Sequence, residues 1–110
     1  MVKIVAFIRR RDGMDRTEFL RHWQLDHPRF VWRLPGLRRY VQNPAIEHRR
    51  SWPYDGVAEL WFDSVRDVAA AFDSPQAERM REHEKTFIGS MAWLLAEEVE
   101  VPRATADEQR

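Results

Sequence analysis

The alternation of apolar and polar residues divides the chain into strands and helices with turn signals between them. Val2–Arg9 (VKIVAFIR) is rich in β-branched and aromatic residues and predicts a strand. Asp12-Gly13 marks a turn, and Asp15 with Glu18 three residues later has the spacing of a helix capping box. Phe19, Trp23, His27, Phe30 or Val31, and Leu34 then recur every three to four residues, which is one face of a helix. Pro28 disfavours helical geometry at His27 and predicts a break or kink there, and Leu34-Pro35-Gly36 ends the segment. Leu37–Asn43 predicts a second strand, Pro44–Pro53 a loop, and Asp55–Asp63 a third strand. Ser64 caps a short helix with Val65, Val68, Ala69 and Phe72 on its apolar face. Ser74-Pro75 opens another, carrying Ala77, Met80, His83 or Glu84, and Phe87. Ser90–Val101 predicts a fourth strand, and the polar residues 102–110 a flexible tail.

The order β-α-β-β-α-β, with the second helix split, predicts an α+β, ferredoxin-like domain over residues 1–101: a four-stranded antiparallel sheet with helices on one face. Period two sorts the strands into faces. One set (Ile4, Ala6, Ile8, Leu37, Val41, Ala58, Leu60, Phe62, Ala92, Leu94) is mostly aliphatic and is assigned to the helices. The other holds Phe7, Tyr40, Gln42, Glu59, Trp61 and Trp93, an aromatic face with a few polar groups. So apolar a face needs a cover. A second copy of the chain is the simplest one, and a cleft with such walls suits a hydrophobic small molecule.

Charge narrows the partners. Residues 1–50 carry 12 Lys and Arg against 5 Asp and Glu, and residues 51–110 carry 6 against 13. The halves neutralise each other, so the unopposed basic face of a nucleic-acid binder is missing. No apolar run is long enough to span a bilayer. MVKIVAFIRRR puts its charges after the apolar run, the reverse of secretory order, and a cytoplasmic protein is expected. With no cysteine among the 110 residues, thiol chemistry is excluded.

The four histidines are the main candidates for chemistry. His27 lies in LDHPRF at the end of a helix face and can shuttle a proton near neutral pH, or pack as a buried structural residue. Tyr40 can donate to a carbonyl or enolate oxygen. Glu59 can orient His27, or pair with an arginine such as Arg38. Phe7, Gln42, Trp61 and Trp93 would line the cleft, and His83 would reach it from the opposite rim. His22 falls on the polar face with Glu18. The five-residue offset between His22 and His27 turns their rings to different faces of an α-helix, so no metal site is expected.

The stretches VKIVAFIRRRDGMDRTEFLRHWQLDH, LPGLRRYVQN and YDGVAELWFDS, followed by SPQAERM, resemble the EthD family of the dimeric α/β-barrel superfamily, over about residues 2–99. The resemblance implies a homodimer in which two sheets face each other, and a cofactor-free ligand cleft between each sheet and its helices or loops. Characterised members of such families include isomerases of methylated muconolactones and fungal decarboxylases or dehydratases of aromatic polyketides. The resemblance places His27 and Tyr40 in the cleft. Two departures stand out: Pro28 where the family often has glycine, and His83 where an acidic residue is expected. The implied activity is proton transfer on a small cyclic or aromatic carbonyl compound. Cofactor-independent or haem-degrading monooxygenases share the superfamily fold, and a non-catalytic binding dimer is the third reading.

Overall fold

The computed structural model describes residues 1–104, so residues 105–110 of the expected tail lie outside the described residues. Strand β1 (Val2–Arg10) leads through Gly13, at φ +82°, to helix α1 (Arg16–Arg21). Asp15 accepts a hydrogen bond from the Glu18 amide at 2.8 Å, as the capping pattern predicts. The helix then widens into a π-helical turn (His22–Asp26) and resumes as α2 (Pro28–Val31). Strands β2 (Arg39–Pro44) and β3 (Gly56–Phe62), helices α3 (Val65–Phe72) and α4 (Pro75–Glu84), and strand β4 (Ile88–Ala96) complete the chain. Ser64 and Ser74 cap α3 and α4 through the amides of Asp67 and Ala77.

Pro28 does not break the helix. His27 keeps helical angles (φ −67°, ψ −35°), and its amide donates to the carbonyl of His22 at 2.9 Å, five residues back. A proline clashes with the carbonyl four residues before it. The wider turn relieves that conflict and lets Pro28 serve as the first residue of α2.

All strands are antiparallel in the order β2-β3-β1-β4, the ferredoxin-like arrangement. Ile4 lies between Leu60 and Leu95, Ala6 between Ala58 and Trp93, and Ile8 between Gly56 and Met91. The helices pack on this face, and the core joins Ile4, Ile8, Leu60 and Phe62 to Phe19, Trp23, Val31, Met80 and Phe87. Gly56 is needed where the Trp23 ring crosses β3, since a Cβ there would stand 2.5 Å from the indole.

Register corrects the face assignment of two strands. Tyr40 pairs with Leu60 and Gln42 with Ala58, so both turn toward the helices and not to the open face. Trp93, opposite Ala6, does the same along with Met91 and Leu95. The run MAWLLA is apolar at every position and carries no period-two signal, and in RYVQ both alternating sets mix apolar and polar character. Phe7, Glu59 and Trp61 do lie on the open face, as expected. There Lys3 binds Glu59 at 2.8 Å, and Lys3 and Arg39 sit over the Trp61 ring.

Candidate active site between the sheet and the helices

A cavity of about 470 Å³ opens between the helices and the inner face of the sheet. Its walls are apolar: Ile4, Ile8 and Leu60 form the floor, Val68 and Phe72 of α3 one side, and Met91, Trp93 and Leu95 of β4 another. Trp93 on β4 is 62% exposed, so this edge forms the mouth. Among the described residues, four side chains with ionisable groups meet the space: His27, Tyr40, Glu84 and Arg81. Trp23 also lines it, and its Nε1 is buried with no hydrogen-bond partner among the described residues.

His27 comes from the residue that closes the π turn. It is 4% exposed, and its Nδ1 lies 2.9 Å from Nδ1 of His83. One ring therefore donates and the other accepts. Its Nε2 lies 3.8 Å from Oε2 of Glu84. Burial, reinforced by His83, drives the His27 pKa down to about 3, so the ring is neutral at physiological pH. The contact with Glu84 is thus between a neutral imidazole and a carboxyl group, not an ion pair.

Glu84 ends α4 with its side chain 17% exposed. Burial raises its pKa to about 7, against a smaller lowering by Arg81. Such a carboxyl both takes and gives a proton near neutrality. Tyr40 on β2 accepts a 2.6 Å hydrogen bond from Nε2 of Gln42, which also donates to the Trp23 carbonyl at 2.8 Å. With an acceptor role already filled, the phenol proton is left to donate. Burial pushes the Tyr40 pKa up to about 12, partly offset by Gln42, so the phenol stays protonated.

The sequence-selected residues therefore divide. His27, Tyr40 and Trp93 meet at one cavity, and Gln42 supports Tyr40. Phe7, Glu59 and Trp61 are on the other side of the sheet, so Glu59 cannot orient His27. It binds Lys3 and Asn43, while Arg38 pairs with Asp63. His83 does not line the cavity; it stands behind His27, and its neighbour Glu84 supplies the carboxyl. Glu84 escaped selection because helical spacing allowed either His83 or Glu84 on the buried side. Its position one turn beyond Met80, four residues on, was the available signal. The rings of His22 and His27, assigned to different faces, both stand beside His83, with centroids 6.4 and 5.1 Å away. The π turn removes the premise of that assignment.

Known proteins place this architecture. An EthD (ethyl tert-butyl ether) family protein of Bacillus halodurans superposes with a TM-score of 0.77 at 19% identity, covering 90% of this chain and 99% of its own. A dimeric ferredoxin-like protein of unknown function from Thermobifida fusca gives 0.69 at 13%, covering 86% and 88%. HapK from Hahella chejuensis gives 0.68 at 18%, covering 93% and 96%. No curated protein matches the sequence. At these identities the likeness establishes the fold alone. The EthD domain model matches residues 11–90, from the turn before α1 to the start of β4, and this protein belongs to the EthD family.

Proposed function

We propose that the protein is a cofactor-independent enzyme that moves a proton on a small hydrophobic cyclic or aromatic carbonyl compound held in the 470 Å³ cavity. The observation that carries this reading is the meeting of Glu84, Tyr40 and neutral His27 in an otherwise apolar space. The Glu84 carboxylate takes a proton from the carbon next to the carbonyl. The resulting enolate oxygen accepts the hydrogen bond of Tyr40. Glu84 then returns the proton at the same or a conjugated carbon, so nothing is gained or lost overall. His27 faces the carboxyl at 3.8 Å. When His83 donates to Nδ1, the His27 proton sits on Nε2, toward Glu84.

We further propose a homodimer built through the open sheet face, where Val5, Phe7, Val41 and Val57 surround the Lys3–Glu59 pair and Leu94 is 47% exposed. Solved relatives described as dimeric support this.

The test is a panel of lactones, quinones and aromatic polyketide-like acids, followed by tryptophan fluorescence for binding and by mass spectrometry for product. Conversion by wild type, with binding retained but turnover lost in Glu84→Gln, supports the reading. Conversion that persists in Glu84→Gln and Tyr40→Phe refutes it. Oxygen uptake during turnover would replace it with a monooxygenase, and binding without conversion by a non-catalytic dimer.

A further inference from the structure

The π turn has a second consequence on the side of His27 away from the cavity. It sets His22 and Asp26 side by side, facing His83 of α4, and each offers one ligand atom within 4.8 Å of the others. Nδ1 of His22 is buried without a hydrogen-bond partner among the described residues, and Oδ2 of Asp26 is 3.7 Å from it. All three residues are half-buried, so solvent still reaches the cluster.

We propose that His22, Asp26 and His83 bind a divalent transition-metal ion of the zinc type. Two imidazoles and one carboxylate form a borderline N2O donor set, which favours zinc, cobalt, nickel or copper over magnesium or calcium. A water molecule completes a tetrahedron. Ligands about 2.0–2.1 Å from a tetrahedral ion stand about 3.3 Å apart. Closing from 4.8 Å asks only for side-chain rotation, which the 41% exposed Asp26 carboxylate is free to make.

In metal-binding histidines the second nitrogen is usually held by another group; His83 is so held, and His22 has a carboxylate nearby beyond hydrogen-bond distance. Nε2 of His22 has the Glu18 carboxylate at 3.9 Å, and Nδ1 of His83 has His27 at 2.9 Å. With Nδ1 of His83 turned to His27, Nε2 is the nitrogen left for the ion. Arg29 is a cation that also acts on His83, and the Asp26 and Glu18 carboxylates oppose it. The site lies outside the cavity and stands whether or not the proton-transfer reading holds.

The experiment uses the full chain, free of any affinity tag and stripped with EDTA. It is titrated with Zn²⁺ against a chromophoric chelator and with Co²⁺ by visible absorption. One ion per chain is expected, with the visible bands of tetrahedral cobalt. His22→Gln and His83→Gln are expected to lower the affinity about a hundredfold or more, and Asp26→Asn about tenfold. His48→Ala, in the distant 44–53 loop, leaves it unchanged. Circular dichroism checks that each variant is folded. Should either histidine variant fail to fold, the exposed Asp26→Asn decides. The proposal is overturned if wild type takes up no stoichiometric ion, or if its affinity is unaffected by Asp26→Asn and by the folded histidine variants.

Discussion

Replacing Glu84 with glutamine removes a buried ionisable group while keeping its shape, and the effect on stability must depend on pH. An exposed glutamate in the unfolded chain titrates at its ordinary 4.5, and Glu84 in the folded chain at about 7. Between those values the unfolded chain has released the proton and the folded chain still holds it. The folded state binds more protons there, so stability falls as pH rises. Above pH 7 both forms are ionised, and the folded state carries a charge it solvates poorly. Each tenfold change in protonation is worth about 1.4 kcal/mol. The separation between 4.5 and about 7 therefore amounts to about 3 kcal/mol, lost in full by about pH 8. Urea unfolding of wild type and Glu84→Gln at matched protein concentration, from pH 5 to 8.5 in EDTA-treated protein, measures the difference between them. The variant should gain on wild type by roughly 2–3 kcal/mol across that range. Contributions from groups distant from Glu84 cancel in the comparison. Parallel stability curves, constant to within about 0.5 kcal/mol, would refute the assignment of a buried, proton-holding carboxyl. The same variant should lose turnover, so stability and activity would move in opposite directions at one residue.

His27 should act in the opposite sense. Held neutral to about pH 3, it contributes stability that falls as pH drops below 6.5, by about 2 kcal/mol between pH 7 and 5, and a His27→Phe chain should lack that acid loss in the same urea series. Tyr40→Phe leaves Gln42 bonded to the Trp23 carbonyl, so its stability should shift by no more than about 1 kcal/mol, while kcat on a converted substrate falls by roughly a hundredfold or more. Gly56→Ala drives a methyl group into the Trp23 ring and should destabilise the protein by at least about 1–3 kcal/mol, read as a lower urea midpoint. Phe7→Glu with Leu94→Glu places charges on the open sheet face. Light scattering should then give the mass of one chain in place of two, with the cavity residues untouched.

Much of the fold could be read directly from sequence. The capping signals at Asp15, Ser64 and Ser74 and the split of the last helical region at Ser74-Pro75 all appear where local chemistry placed them. Strand alternation puts Tyr40 on the open face, whereas the family resemblance puts His27 and Tyr40 in a cleft between the sheet and the helices, and there they meet. Strand parity is legible only when one face is polar. In β4 both faces are apolar, and in β2 the Arg39 guanidinium sits over the Trp61 ring while Tyr40 turns inward. The π turn was partly visible. Phe19, Trp23, His27 and Val31 repeat at a strict spacing of four, and on an α-helix each such step drifts by about 40°. A face that holds this spacing without drifting requires a wider turn. A proline after the third of these residues pointed to the same place.

That wider turn makes the first helix a device with two phases. Upstream of it, Phe19 and Trp23 face the sheet in one rotational setting; downstream, His27 and Val31 face it in another, offset by one residue. Loss of a single residue from the turn, such as the 73% exposed Leu25, would remove the extra residue, set Pro28 against the carbonyl four residues before it and swing everything downstream by about 100°. The anchoring rings would keep their places while the imidazole left the cavity wall. Substitutions at Leu25 should therefore be nearly free and its deletion disabling, a contrast set by the length of the segment and not by the chemistry of its side chains.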